Sequence, residues 1–223
     1  MRFVDASADL LVGGVCPGCG RPGRAVCQGC VALVMCGVVA PRHRDRVSAV
    51  VWSSGDYVHP VPRLISQAKD HRRWDAINVL GARLAFSVAG LIDAVGCAGP
   101  GWLVPVPSTP AAVRRRGLDF TAALAGVAAR HLRRVGVTVG VRPLLTHRRR
   151  VADQGGLSSQ DRHANLDGAM KAKLRPMAGW LVVVDDVMTT GASLAEATAA
   201  LARSGLSSAG AATVAATVLR HHR

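Results

Sequence analysis

Apolar and polar positions change rhythm along this chain of 223 residues. Four short stretches are apolar almost without interruption: WLVPVP from Trp102, VTVGVRPLL from Val137, GWLVVVDDV from Gly179 and AATVAATVLR from Ala211. Runs of that length, rich in Val and ended by Gly, Pro or polar residues, predict strands buried on both faces. Between them the period lengthens. AALAGVAARHLRRVG, stopped by Gly136, and ASLAEATAALARSG, stopped by Gly205, predict helices. Upstream, SAVVWSSGDYVHP predicts a strand ending in a turn. Residues Val61 to Val95 carry a helical pattern, with Leu64, Ile65 and Ala68 on one face and Trp74, Ile77, Leu80, Leu84, Val88 and Leu91 continuing it. PRHRDR at 41–46 predicts a polar linker, and the residues after VPVP a basic loop. A long polar stretch runs from Thr146 to Asn165. Strand–helix alternation of this kind predicts an α/β protein built on a parallel sheet.

Composition changes that picture little. Apolar residues make up 49% and charged residues 19%, which excludes global disorder. No uninterrupted apolar run approaches the roughly 20 residues that span a bilayer. The N-terminus has an early acid and no apolar h-region, so a cytoplasmic protein without membrane insertion is expected. Charge is the outlier: 28 Lys and Arg against 14 Asp and Glu, a net +14. A polyanionic partner such as phosphate ligands, RNA or DNA fits that balance. All but Lys69, Lys171 and Lys173 of the basic residues are Arg, however, in an Ala-, Gly- and Val-rich chain, so GC-rich coding explains part of it.

Four cysteines stand in CPGCGRPGRAVCQGC: Cys16, Cys19, Cys27 and Cys30. Two CxxC turns can aim four thiolates at one point, which suits a structural, tetrahedral Zn²⁺. Cys36 is a possible substitute ligand, and Cys97 reads as a small apolar residue. A site of this kind contributes folding energy to a segment too small for its own core.

The densest chemical signal is LVVVDDVMTTGAS, from Leu181 to Ser193. A buried strand delivers two adjacent carboxylates, Asp185 and Asp186. A loop with Thr189, Thr190, Gly191 and Ser193 follows and opens a helix. Helix N-termini offer unpaired N–H groups to an anion, and ligands of open α/β sheets bind beyond the strands' carboxyl ends. The cup suits a phosphate monoester. The carboxylates suit the vicinal hydroxyls of a sugar, or a magnesium ion. Together they describe a ribose 5-phosphate site. The competing interpretation is a capped helix beside two solvated acids.

These residues resemble the 13-residue signature of type I phosphoribosyltransferases, which use phosphoribosyl pyrophosphate (PRPP) with Mg²⁺. With the preceding cysteine module, and with LISQAKDHRRW, LVPVPSTPAAVRRRGLDF and RRRVADQGGLSSQDRHANLDGA in order, the chain resembles the ComF family from about Cys16 to Val218. The resemblance implies a type I phosphoribosyltransferase fold, a parallel sheet flanked by helices with a hood, plus the small zinc module. It divides the chain into a zinc module at 1–40, a hood and linker at 41–100, and a phosphoribosyltransferase domain at 101–223. It implies that Asp185 and Asp186 hold the ribose hydroxyls while Met188, Thr189, Thr190, Gly191, Ala192 and Ser193 wrap the 5-phosphate. Arg114, Arg115 and Arg116, with Ser108 and Thr109, would take the pyrophosphate, since guanidinium groups stabilise its departing charge. Asp185, Asp186 and Arg116 are the candidate catalytic residues. Arg148–Arg150 would begin a closing loop, Arg162 and Asn165 beyond it would shape that loop, and Lys69, Arg72 and Arg73 would belong to the hood. The family context implies DNA uptake, with DNA or a DNA helicase as partner. Two activities follow as expectations: transfer of ribose 5-phosphate to an acceptor left open, or a non-catalytic module that binds PRPP or a nucleotide.

Departures from the family pattern lie outside the cup. Leu118, Asp119 and Phe120 replace a Phe-Asn-Gln run, and Lys69-Asp70-His71-Arg72 lacks the family's Gly.

Overall fold

A computed structural model describes residues 14–44, 47–148, 168–173 and 178–218. Helix α1 (Gln28–Met35) closes the cysteine segment. Strands β1 (Ala40–Arg42) and β2 (Val51–Ser53) pair antiparallel, and helices α2 (Val61–His71) and α3 (Trp74–Ala94) follow. Then come β3 (Gly101–Pro105), α4 (Pro110–Arg116), α5 (Phe120–Arg134), β4 (Val139–Val141) and β5 (Leu145–His147). The chain continues with β6 (Met170–Ala172), β7 (Trp180–Met188), α6 (Ala192–Ala202) and β8 (Gly210–Ala216).

Among the described residues six strands form one sheet in the order β1-β2-β8-β7-β3-β4, every pair parallel except β1 with β2. Strand β7 lies between β8 and β3, which is why its valines read as a continuous run. Val182 and Val184 pack into the core built with α2, α3 and α5. Val183 packs into the other core, with Leu194, Ala197 and Leu201 of α6. Strands β5 and β6 form a separate antiparallel pair. Buried Glu196 of α6 fastens it, accepting from Met170 N at 2.9 Å and from Arg203 Nη2 at 2.8 Å. The expected α/β architecture with a mostly parallel sheet is therefore present.

Local departures have physical reasons. The helical pattern from Val61 breaks at Arg72, which takes a left-handed conformation (φ 50°) and separates α2 from α3. Trp74, expected on the apolar face, is 56% exposed. Where a basic loop was expected, Thr109 accepts from Ala112 N at 3.2 Å and Pro110 opens helix α4. VTVGVRPLL splits into β4 and β5 around Pro143, whose missing N–H cannot serve a central ladder. PRHRDR contributes Pro41 and Arg42 to β1, so part of that linker belongs to the sheet. Among the described residues one helix, α3, is long and apolar enough to cross a membrane by composition, yet it lies mostly buried in the protein.

Candidate functional site

Strand β7 runs on past both carboxylates to Met188, so Asp185 and Asp186 stand on the strand, before its end. Asp185 pairs in register with Thr213, and Thr213 with Ser53, which lays three buried polar residues in one row across β7, β8 and β2. Val106 N donates to Val184 O at 2.9 Å, so the chain leaving β3 passes beside the same edge. That edge is the carboxyl end of the parallel strands, where open α/β sheets place their ligands.

The two acids have different surroundings. Asp185 is 8% exposed and accepts from Asp186 N at 2.8 Å. Burial, then the charge of Asp186, raises its carboxyl well above the usual carboxylate range, and Lys69 offsets only part of this. Asp186 is paired directly: Lys69 Nζ of α2 donates to its Oδ2 at 2.6 Å. The same ammonium lies 5.1 Å from the ring centroid of Phe120, the buried first residue of α5. Two carboxylates and one ammonium thus form a compact group that a polyhydroxylated or cationic ligand could enter.

Beyond Met188 the chain turns through Thr189, Thr190 and Gly191 into α6. Gly191 is the N-cap with φ 83°, and a Cβ there would lie 2.5 Å from Val47 Cγ2. Both the conformation and the close approach require glycine. Thr189 and Thr190 are exposed, and Ala192 and Ser193 half-buried, on the first turn of α6. Ala192 N donates to Thr190 Oγ1 at 3.4 Å, and the N–H groups of the rest of this first turn lack intrahelical acceptors at the positive end of the helix dipole.

Sequence reasoning missed one residue here. Arg44 is 8% exposed and donates from Nε to Thr189 O at 3.0 Å, from Nη1 to His43 O at 2.8 Å, and from Nη2 to Thr217 O. It ties the loop before α6 to the end of β8 and to the segment after β1. Burial and the nearby charge of Arg42 lower its pKa.

The expected pyrophosphate residues are brought to the same edge with mixed engagements. Ser108 Oγ donates to Asp119 Oδ1 at 3.1 Å, while Asp119 also caps α5 through Ala122 N. The Ser108 hydroxyl is therefore occupied by the cap. Arg114, Arg115 and Arg116 fill the last turn of α4, Arg114 and Arg115 exposed and Arg116 half-buried, with no acceptor for Nε among the described residues. Gly117 follows with φ 66°, and a Cβ there would meet Arg72 Nη2 at 2.6 Å. Arg72 thus rests against the turn after α4. Arg73, grouped with it from sequence, turns the other way. It makes a two-pronged pair with Asp75 (both bonds 2.9 Å) and donates to Val15 O and Arg24 O in the cysteine segment. Arg148 is exposed, and Arg149, Arg150, Arg162 and Asn165 lie outside the described residues.

The cysteine cluster is the second constellation. The Sγ atoms of Cys16, Cys19, Cys27 and Cys30 all lie within 4.8 Å of one another, Cys19 and Cys27 at 3.7 Å. A tetrahedral Zn²⁺ with bonds near 2.3 Å needs sulfurs about 3.8 Å apart, so the donor set fits a structural zinc. Cys36, the substitute ligand considered from sequence, is exposed and outside the cluster. The second CxxC is no loop knuckle: Cys27 is the N-cap of α1 and Cys30 lies in its first turn, at the helix end that favours thiolate. Gly18 allows the approach, since a Cβ there would lie 2.7 Å from Cys30 Sγ. Burial raises the Cys16 thiol, but the N–H groups of Cys27, Cys19 and Gly18 outweigh it and hold it at about 6. Burial and the surrounding cysteines push Cys30 up.

Comparison with known proteins places this chain among named relatives. It is 30% identical over 194 residues to DNA utilization protein YhgH of Escherichia coli (strain K12), covering 86% of this chain and 79% of that protein. It is 30% identical over 201 residues to the protein of the same name from Salmonella typhi, covering 86% of each. A scan of protein-family models matched none. Among solved structures, the crystal structure of TT1426 from Thermus thermophilus aligns over 66% of this chain and 85% of that one, with 17% identity and a TM-score of 0.29.

Proposed function

The chain belongs to the ComF-like family of DNA utilization protein YhgH, and on that footing we propose that it is a PRPP-binding phosphoribosyltransferase serving DNA utilization. The observation that carries this reading is the sequence of groups along β7 and α6: two carboxylates, then a glycine-capped helix start, at one sheet edge. Asp185 and Asp186 hold the ribose 2- and 3-hydroxyls, and residues 188–193 receive the 5-phosphate. Lys69, Arg72 and the Arg114–Arg116 turn face the pyrophosphate. In transfer, the bond between C1 and the pyrophosphate oxygen breaks, the electron pair leaves with pyrophosphate, and the acceptor's lone pair forms the new bond to C1. Fixed positive groups at the leaving end stabilise the charge that develops there, and bound geometry supplies most of the remainder. Mg²⁺ would enter with the substrate, neutralising its phosphates, with the Asp185–Asp186 oxygens as the available protein donors.

Pyrophosphate release is the test, measured with PRPP, Mg²⁺ and a panel of bases, amines and nucleic acids. Release with one acceptor, abolished by Asp186→Asn, is the expected result. The name of the relatives favours a second reading, a PRPP- or nucleotide-binding accessory protein in DNA utilization. PRPP-dependent thermal stabilisation without turnover on any acceptor selects that second reading. Failure to bind PRPP or ribose 5-phosphate at all removes both.

A further inference from the structure

Helices α3 and α5 pack side by side over the sheet, but the seam between them is not filled along its whole length. Ala82, Ala85 and Leu132 are buried and floor an open hollow of about 160 Å³. A benzene ring fills a cavity of about 150 Å³, so the hollow has room for one aromatic or large aliphatic side chain. Phe86 and Val135 also line it, 51% and 75% exposed. Apolar side chains exposed singly are ordinary, whereas these two flank one apolar hollow. The Phe86 ring is braced from inside the fold, with the buried Arg83 guanidinium 5.7 Å from its centroid.

The rim is positive. His131 lines the hollow, and no Asp or Glu does. Burial, then the charges of Arg134 and Arg130, lower the His131 pKa, so both guanidiniums stand close by. Both are exposed, and neither makes a hydrogen bond or ion pair among the described residues. Arg133 between them is engaged, donating to Val139 O at 2.9 Å. Basic residues in a last turn complement the helix dipole, which accounts for Arg133 and Arg134. Arg130 stands a turn earlier on the same face as Arg134, and like charges four residues apart repel. The contact with Val139, which begins β4, puts this end of α5 at the amino ends of the parallel strands, opposite the edge that holds Asp185 and Asp186.

We propose that the α3–α5 groove docks a protein partner through an acidic segment that carries one aromatic or large aliphatic anchor. The anchor enters the hollow beside Phe86 and Val135, and neighbouring carboxylates meet Arg130 and Arg134. A buried apolar anchor supplies most of the affinity, and the rim charges supply selectivity and rate of encounter. The lining favours a peptide over nucleic acid, because His131 is the one side chain there that could read a base edge. A second copy seated by the same patch would set Arg130 and Arg134 against their own duplicates, which opposes association. The groove is independent of the PRPP reading, and a partner bound there leaves the opposite sheet edge open.

Fluorescence anisotropy of the full chain with a short labelled peptide, one Phe flanked on both sides by Asp, tests this. A twin with Ala for Phe removes the anchor, and a second twin with Asn for every Asp removes the charge. The Phe–Asp peptide is expected to bind, and each twin about tenfold or more weakly, the scale of a lost anchor or of a lost set of rim charges. Ala89→Trp, which fills the hollow from a half-buried position, should weaken the Phe–Asp peptide by about the same factor, as should Arg130→Glu combined with Arg134→Glu. The two arginines are exposed, so their double variant decides if Ala89→Trp does not fold. Equal binding of the Phe and Ala peptides, indifference to the arginine changes, or no binding at about 1 mM peptide overturns the proposal. A single-stranded DNA oligonucleotide whose binding falls as sharply in Ala89→Trp gives the groove to nucleic acid, and a sedimenting wild-type dimer that Ala89→Trp dissociates gives it to a second copy. Either result overturns the proposal.

Discussion

Lys69 Nζ lies 2.6 Å from Asp186 Oδ2, joining α2 to β7 across 117 positions of sequence. The pair is only partly screened, with side-chain exposures of 27% and 15%. Without ligand, Lys69 supplies the charge that keeps two adjacent acids compatible on one strand. Lys69→Met leaves Asp186 uncompensated beside Asp185. Because the pair lies between an exposed and a fully buried bridge, a loss of about 1–2 kcal/mol is expected. Urea denaturation at pH 7.5 measures it, and a change under about 0.3 kcal/mol excludes a supporting role for the pair.

Asp185 makes stability depend on pH in an unusual direction for a carboxylate. Burial, and then Asp186, raise its folded pKa, so the folded chain binds its proton more tightly than the unfolded chain does. Its contribution is fully present below the unfolded value of about 3.9 and is lost as pH rises through the raised folded value. Asp75 has the opposite sign. Burial works to raise it, but the hydrogen bonds and charge of Arg73 hold it below the usual range, so its contribution falls away in acid. Between about pH 5 and 8 the Asp185 effect is isolated from that of Asp75. Asp185→Asn should gain melting temperature relative to wild type as pH rises across this window, because the amide has no proton to lose. A pH-independent difference between the two proteins is the result that counts against it.

Gly191 carries two separate demands, a left-handed φ of 83° and a Cβ position 2.5 Å from Val47. Gly191→Ala therefore strains the backbone and pushes on the Val47–Arg44 wall together. A stability loss of at least about 1–2 kcal/mol follows from the conformation alone. Ribose 5-phosphate affinity should fall more than pyrophosphate affinity, because the turn after α4 does not touch Gly191. Unchanged ribose 5-phosphate binding in a soluble Gly191→Ala protein would separate this loop from the phosphate.

What the sequence made legible was contiguous. Cys16 to Cys30 span one short segment, and Asp185 to Ser193 span one strand end and one helix start, so spacing alone exposed both groups. What it hid depends on distant packing. Arg44 stands 145 positions before the carbonyl it holds, inside six residues that read as a polar linker. Arg73 looked equivalent to Arg72 until the left-handed turn at Arg72 sent them to opposite sides. Ser108 looked like a free donor because nothing in the pattern shows that Asp119, eleven residues on, takes its hydroxyl. Ion pairs and caps are set by which elements meet, and periodicity carries no record of that.

Asp75 ties the cysteine module to the ligand edge. Its carboxylate receives Nε and Nη2 of Arg73 and also Val26 N at 2.9 Å, while Arg73 holds the carbonyls of Val15 and Arg24 on either side of Cys16 and Cys19. Arg73 directly follows Arg72, the residue that rests against the turn after α4. The cysteine segment and the turn after α4 are therefore both held from one short backbone stretch between α2 and α3. One zinc per chain is expected by elemental analysis, and its removal with a strong chelator should lower the melting temperature markedly, since metal binding supplies folding energy to such segments. Asp75→Asn keeps the shape but removes the charge that Arg73 faces, in a pair whose side chains are 24% and 25% exposed, for a loss of about 1–2 kcal/mol. Zinc should remain bound yet exchange faster with a chelator, because the four thiols are untouched while their scaffold is loosened. Wild-type exchange kinetics in Asp75→Asn would show that the cysteine cluster holds its metal independently of the α2–α3 junction.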